Sequence, residues 1–234
     1  MRHSRINLLV FRLLVLPTRS APAAEPPRPP SGIHYVYLIR DGMYERDWTV
    51  DDVTGNGLNA LGHEQARRIG ARLAALPVRP AALVSSTFRR ARETADDMAP
   101  ILKLTPTRDS LLHECTPTSE RADSMRTRTP GEVTPCDSNL SAAWAQYMTP
   151  SPGTDRHDVL VCHGNVIRWF VCRAVAGDPR RWRAMEIANA SLTILAVPPD
   201  GTIRLVTFSD VGHLPPAEQT WTGKGAGWGA AAPR

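Results

Sequence analysis

Two kinds of apolar segment alternate along the chain between residues 33 and 208, and this alternation constrains the fold more than any other feature. Short runs rich in β-branched and aromatic residues, "IHYVYLI" (33–39), "AALVSS" (81–86) and "DVLVC" (158–162), are typical of buried strands. Longer runs between them carry apolar residues every three or four positions, which is typical of amphipathic helices. Strands that alternate with helices predict an α/β fold, a three-layer α/β/α sandwich around a mainly parallel sheet.

Caps and turn residues mark the boundaries of these elements. Asn59 is the predicted N-cap of the helix within 58–77. Further helices are predicted over 89–102, which Pro100 ends or kinks, near 138–148, and over 164–177. Residues 191–208 contain two strand patterns joined by a Pro-Asp-Gly turn, so we expect an antiparallel hairpin at one edge of the sheet.

The two ends of the chain differ from this core in composition. Residues 1–24 combine arginines, an apolar run and a small-residue stretch, and they predict a leader for export; a mitochondrial presequence, or a start-codon artefact on a cytoplasmic protein, is the alternative. The apolar run is too short for a stable membrane span. The proline-rich segment 25–32 is a predicted linker, 33–215 is the predicted domain and 216–234 a flexible tail.

The positive charge of the chain is concentrated in the leader. The formal net charge is +5, and four of the 28 Lys and Arg residues lie in residues 1–24, where there is no acid. The basic residues of the remaining chain nearly balance its 23 Asp and Glu residues. Because such a body lacks a strong positive field, its composition does not favour a nucleic-acid partner.

The four cysteines do not have the spacing of a zinc site, so no metal bound through sulfur is predicted. Cys115 and Cys136 lie in the same polar region and could pair if the protein is exported. Cys162 and Cys172 lie in apolar runs and are predicted core residues. The spacing alone leaves the connectivity open.

Polar and charged residues follow three of the predicted strands at the point where each strand ends. In chain order they are Arg40 and Asp41, Ser86 and Arg90, and His163 and Asn165. The carboxyl ends of parallel strands meet at one edge of a sheet, where ligands collect. Arginines bind phosphate oxygens, and a helix N-terminus after His163 favours an anion. The pattern therefore predicts a phosphate-ester site, although each residue alone could be an ordinary surface or strand-end residue.

The ordered set "LIRDG", "LNALGHEQA", "SSTFRRARETA", "LLHE" and "VCHGNVIR" resembles the histidine phosphatase (phosphoglycerate-mutase-like) superfamily over residues 33–215. It is most similar to the branch that contains the mitochondrial phosphoglycerate-mutase-like Ser/Thr protein phosphatase and its bacterial relatives. The resemblance implies a phosphomonoesterase that uses no metal or organic cofactor. Its implied partner is a phosphorylated small molecule or a phosphoprotein.

The resemblance also implies a role for each matching residue. Arg40 and Arg90 would hold the phosphate, and His163 would donate hydrogen bonds to the transferring phosphoryl group. Glu114 would protonate the leaving group and then activate water. In the family a histidine attacks phosphorus, and Asp41 stands at that position here. Ser86 and Asn165 are further candidate site residues.

An aspartate at the nucleophile position predicts low or absent activity for this chain. Aspartate is shorter than histidine, and enzymes that form acyl-phosphates generally recruit a metal to reduce repulsion from the phosphate. Three hypotheses remain: a phosphatase-type protein altered at residue 41, a catalytically silent relative that binds a phosphorylated ligand, and an acyl-phosphate enzyme that uses Asp41. We rank them in that order.

Substrate choice is assigned to the polar region 113–135. It contains Arg121, Arg126 and Arg128, which could contact an acidic substrate or could form a solvated loop. The sequence does not identify a second anion-binding group, and it leaves the oligomeric state open.

Overall fold

The structure, a computed structural model of the chain, describes residues 32–221 and 225–226. The predicted leader at 1–24 and the predicted linker up to residue 31 lie outside the described residues. Residue 32 already belongs to the fold, because Gly32 forms an isolated bridge with Ser151.

A six-stranded sheet forms the centre of the domain. Its strands are β1 (His34–Arg40), β2 (Ala82–Ser85), β3 (Thr107–Arg108), β4 (Arg156–Cys162), β5 (Leu192–Val197) and β6 (Arg204–Asp210). Their spatial order is β3-β2-β4-β1-β5-β6. The first four are parallel, and β5 and β6 form the antiparallel pair at the opposite edge. The predicted mainly parallel sheet with an edge hairpin is confirmed.

Helices cover both faces of this sheet. They are α1 (Ala60–Ala74), α2 (Arg89–Leu102), α3 (Ala122–Met125), α4 (Pro130–Tyr147) and α5 (Gly164–Ala174). Asn59 caps α1 as predicted, with its side chain accepting from Gly62 N at 2.9 Å. Pro100 lies in the last turn of α2, which continues to Leu102 rather than ending at the proline. Among the described residues, no helix is long and apolar enough to cross a membrane.

The alternation of side chains along β1 divides the core into two layers. Val36 and Leu38 belong to the core that α4 and α5 cover. Tyr37 and Ile39 belong to the opposite core, which α1 and α2 cover. Because successive side chains of a strand point to opposite faces, one buried strand can hold both layers together. The predicted three-layer α/β/α sandwich is therefore present.

Helix α4 begins eight residues earlier than the sequence predicted. The predicted helix was near 138–148, within a polar region rich in proline. In the structure Pro130 occupies the first turn, where its missing N–H needs no partner. Thr129 and Glu132 form a capping box, with Thr129 N donating to Glu132 Oε2 at 2.8 Å. The first part of α4 thus replaces the predicted loop over 130–135.

The C-terminal boundary of the domain also differs from the predicted one. A flexible tail was predicted from residue 216, but Pro216–Glu218 form a 3-10 turn and Thr220 is buried. Gln65 Nε2 donates to Glu218 O at 2.7 Å and to Thr220 Oγ1 at 3.0 Å. These bonds attach 216–221 to the domain, and the remaining predicted tail lies outside the described residues except for 225–226.

A disulfide joins Cys115 to Cys136, with their Cα atoms 5.7 Å apart. It ties the segment before α3 to the first half of α4. Cys162 and Cys172 are free and buried, as expected of core residues.

Candidate functional site

The carboxyl ends of β1, β2 and β4 bring the predicted site residues together. Beyond the strand ends, Asp41 N donates to Cys162 O and Ser86 N donates to Val161 O, both at 2.9 Å. These bonds continue the parallel ladder by one residue on each strand. As a result Asp41, Ser86 and His163 lie side by side at one edge of the sheet.

Asp41 lies at the centre of this edge and is 2% exposed. Its Oδ2 atom is 2.6 Å from Arg90 Nε and 3.3 Å from His163 Nδ1. Its Oδ1 atom is 3.7 Å from Arg40 Nε. The residues that were predicted to hold a phosphate therefore hold the carboxylate of Asp41 in the structure.

The surroundings of Asp41 favour its charged form. Burial alone would raise the pKa of this carboxyl, but the hydrogen bond and charge of His163, followed by the charges of Arg90 and Arg40, outweigh it and lower the pKa from 3.8 to about 2. The carboxylate is thus ionised throughout the physiological range. It neutralises part of the positive charge on which a phosphate-binding site depends.

The lowered pKa predicts acid sensitivity. Between about pH 4 and pH 2 the unfolded chain binds a proton at residue 41 while the folded chain does not, so stability falls as the pH falls. The contribution lost is about 2 kcal/mol. Urea unfolding of the chain and of Asp41→Asn across this range measures it. The unaltered chain should lose more stability than the variant, and parallel pH curves would contradict the assignment.

Arg90 is bound by two carboxylates. Besides Asp41, its Nη1 donates to Asp52 Oδ1 at 2.5 Å, and its guanidinium lies 4.7 Å from the centre of the Tyr44 ring. Arg90 is 1% exposed. Burial lowers its pKa, but the charges of Asp41 and the other nearby acids raise it by more, so the pKa lies above its ordinary value. No sequence pattern indicates Asp52 as a site residue, because it lies in a loop without periodicity and is 38 residues away from Arg90 along the chain.

Arg90 Nη1 donates its hydrogen bond to Asp52, so this donor is not available to a phosphate. Asp52→Asn should therefore strengthen binding of inorganic phosphate about three- to tenfold, since Asp52 is partly exposed and its attraction is screened. Isothermal calorimetry measures this affinity. Asp51→Asn is the matched control, because Asp51 accepts from Val53 N and Thr54 N within the same loop rather than from an arginine. An equal gain in both variants would contradict the role of Asp52.

Both ring nitrogens of His163 have protein partners. Nδ1 faces the Asp41 carboxylate, which can only accept, so this nitrogen carries the hydrogen. Nε2 lies 2.9 Å from Ser86 Oγ, and this hydroxyl oxygen accepts a hydrogen bond from Phe88 N at 3.2 Å. His163 is fully buried. A phosphoryl group that binds His163 must displace one of these partners.

Glu114 lies beside the N-terminus of α5. Its Oε1 accepts from Asn165 N at 3.2 Å, and Asn165 Nδ2 donates to Cys115 O at 2.8 Å. Glu114 is half-buried, in contrast to the enclosed Asp41. Its position on an accessible part of the site is compatible with the predicted proton-donor role.

Arg40 and Arg168 converge over Gly164. Arg40 Nη1 donates to Ile187 O at 2.5 Å. A Cβ at position 164 would lie 3.2 Å from Arg168 Nη2 and 3.6 Å from Arg40 Nε, so both guanidinium groups reach the same space. Sequence reasoning missed Arg168, although a signal existed: it follows Gly164 by four residues and therefore shares its helix face.

Hydrogen bonds from α1 and from the C-terminal part of the chain hold the turn after β1. Asn189 Nδ2 donates to Asp41 O at 3.3 Å, and Met43 N donates to Gln65 Oε1 at 2.8 Å. Thr220 Oγ1 links the two supports, because it accepts from Gln65 and donates to Asn189 Oδ1 at 3.1 Å. These bonds fix the backbone of residue 41.

The turn also approaches α1 closely. A Cβ at Gly42 would lie 2.6 Å from Gly62 O, so only glycine fits between the turn and the first turn of the helix. This contact limits how far the backbone at residue 41 can move toward a substrate.

The arrangement can bind an anion, but its groups are engaged by the protein itself. Arg40, Arg90 and His163 surround one point, and that point contains the Asp41 carboxylate. Within residues 32–221, no group of three or more His, Cys, Asp or Glu residues could hold a metal ion. Arginine and histidine donors are suited to a phosphate monoester.

Comparisons with known proteins agree with this geometry. The model of the histidine phosphatase superfamily (branch 1) matches residues 36–210. The mitochondrial serine/threonine-protein phosphatase Pgam5 of Caenorhabditis elegans is 34% identical over 194 residues, covering 80% of this chain and 66% of the relative. The corresponding PGAM5 of Xenopus tropicalis is 30% identical over 191 residues, covering 80% and 68%. The matched region thus spans about two thirds of these relatives.

A solved structure shares the fold at lower sequence identity. Phosphoglycerate mutase from Plasmodium falciparum superposes with a TM-score of 0.56 at 22% identity, over 79% of this chain and 96% of the mutase. The relatives named above are mitochondrial, which contradicts the predicted export of the chain. With the family model matching from β1 to β6, the chain belongs to branch 1 of the histidine phosphatase superfamily.

Proposed function

We propose that this chain is a phosphatase-type protein that binds phosphomonoesters, among them phosphoproteins, and that Asp41 makes its own turnover low or absent. The observation that carries the proposal is the 2.6 Å contact between Asp41 Oδ2 and Arg90 Nε inside a buried site. The names of the relatives, serine/threonine-protein phosphatases, support phosphoproteins as the substrate class. The same names favour the mitochondrial alternative for residues 1–24.

The role assigned to each site residue follows from its charge and its position in the site. Arg40 and Arg90 bind the nonbridging oxygens of the phosphate, and His163 donates to the phosphoryl group. Glu114 gives a proton to the leaving oxygen. In this account Asn165 positions Glu114 through its backbone N–H, and Ser86 orients the ring of His163. The roles of Arg40, Arg90 and His163 apply to substrate binding whether or not transfer follows, whereas the role of Glu114 requires transfer.

Asp41 opposes both binding and transfer. Two unit charges of the same sign about 4 Å apart repel by about 4 kcal/mol at an effective dielectric near 20. The carboxylate also lies in a resting ion pair, so the phosphate must compete with it for Arg90. Because Asp41 also opposes transfer, the alternative function is a catalytically silent relative that binds a phosphorylated ligand.

Phosphate affinity tests the binding half of the proposal. We expect inorganic phosphate and a phosphothreonine peptide to bind the unaltered chain at millimolar concentrations. Asp41→Asn should bind about tenfold more tightly, because it removes the charge and nearly preserves the shape. Calorimetry measures both constants. No binding by either protein at millimolar ligand would overturn the proposal.

A further inference from the structure

A cavity of about 270 Å³ opens beside the candidate site. Asn165 and Arg168 of α5 form one side of it. Its other sides include Trp182, Arg183 and Arg128. Asn165 also contacts Glu114, and Arg168 shares the space over Gly164 with Arg40. The cavity therefore borders the candidate site through Asn165 and Arg168.

Arg168 is held in place by neutral groups. Its Nε donates to Gly164 O at 3.1 Å, its Nη1 to Met185 O at 3.3 Å and its Nη2 to Asn165 Oδ1 at 3.1 Å. Burial lowers the pKa of Arg168; the negative charges of Glu114 and Glu186 oppose this effect, whereas Arg40 and Arg183 add to it. Among the described residues, no carboxylate forms an ion pair with Arg168. Its charge therefore acts on the cavity.

The outer wall adds positive charge. Arg183 lies 5.3 Å from the centre of the Trp182 ring, and the described residues provide it with no ion-paired carboxylate. Arg128 is exposed. The acidic residue in the wall, Asp123, is paired with Arg121 at 2.9 Å. The residues that line the cavity thus carry a net positive charge, although the body of the chain is nearly neutral.

We infer that this cavity binds a second acidic group of the phosphorylated substrate, namely an Asp or Glu side chain close to the phosphorylated residue of a protein. The inference rests on the proposed function, because it places the phosphate at Arg40 and Arg90. An extended peptide advances about 3.3 Å per residue, so a neighbouring side chain can reach Arg168 from a phosphate at Arg40. Arg128 and Arg183 then neutralise the carboxylate from the outer side.

The test compares two phosphothreonine peptides that differ only in carrying Glu or Gln around the phosphorylated residue. Calorimetry on the full chain should show the Glu peptide binding about fivefold or more tightly. In the double variant Arg128→Gln/Arg183→Gln this preference should fall below about twofold, with affinity for inorganic phosphate unchanged. Arg181→Gln is the matched control, because that exposed arginine pairs with Glu120 and does not line the cavity.

Equal affinity for the two peptides, or a preference that survives the double variant, would overturn the inference while phosphate binding still upholds the proposed function. Loss of all phosphate binding in the unaltered chain would overturn both. A second comparison uses small molecules, because a small phosphorylated substrate could also supply the carboxylate. If the double variant weakens 3-phosphoglycerate relative to glycerol phosphate but leaves the peptide preference intact, the cavity serves a small substrate and the peptide assignment is wrong.

Discussion

Asp41→His should raise the phosphatase turnover of this chain by about a hundredfold or more. The substitution removes a buried carboxylate that lies 2.6 Å from Arg90 Nε, and it supplies a nitrogen that reaches farther into the site. Relief of about 4 kcal/mol of repulsion corresponds to about a thousandfold in rate, part of which the two arginines already offset. Initial rates with a phosphothreonine peptide measure the gain.

Asp41→Asn distinguishes the loss of charge repulsion from the gain of a nucleophile. The amide removes the repulsion but provides no nucleophile, so this variant should bind phosphate more tightly than the unaltered chain without a comparable gain in turnover. Equal rates for all three proteins would contradict the assigned role of residue 41. A fast unaltered chain would show that the aspartate is a competent nucleophile.

Arg90→Met should lower the free energy of unfolding by about 3–5 kcal/mol. Arg90 is the nearest cation to the buried Asp41 carboxylate, and removing one partner of a buried pair leaves the other charge without compensation. Arg40, at 3.7 Å, and His163 offset only part of that loss. Urea denaturation near neutral pH measures the change.

Two controls accompany this substitution. Arg121→Met removes an arginine from an exposed pair with Asp123 and should change stability by less than about 1 kcal/mol. The double variant Asp41→Asn/Arg90→Met should recover at least about 2 kcal/mol relative to Arg90→Met, because both buried charges are gone. A loss below about 1 kcal/mol in Arg90→Met would show that the pair does not stabilise the fold.

Local patterns were sufficient to predict most of the fold. The apolar run at β1 and the cap at Asn59 are local signals, and the structure contains both elements. The start of α4 was missed because Pro130 and Pro135 resemble loop residues, whereas the capping box at Thr129 is a short-range signal that outweighs them. The attachment of Thr220 was missed because it depends on Gln65, 155 residues away.

Some residues of the candidate site could likewise be predicted from local sequence patterns, and others could not. Asp41 and His163 could be placed together because each follows a parallel strand. Asp52 could not, since its contact with Arg90 is set by the path of a loop. Arg168 was accessible in principle from its spacing to Gly164, but its meeting with Arg40 depends on packing between α5 and the sheet.

The most direct test of the central claim is the position of covalent phosphate after rapid quenching. The unaltered chain and Asp41→His are mixed with a radiolabelled phosphothreonine peptide, quenched, and mapped by proteolysis. We predict acid-labile, base-stable phosphate on residue 41 of the variant and none on the unaltered chain. A hydroxylamine-sensitive acyl-phosphate on Asp41, formed as fast as the peptide is hydrolysed, would contradict the claim that its ion pair with Arg90 prevents transfer.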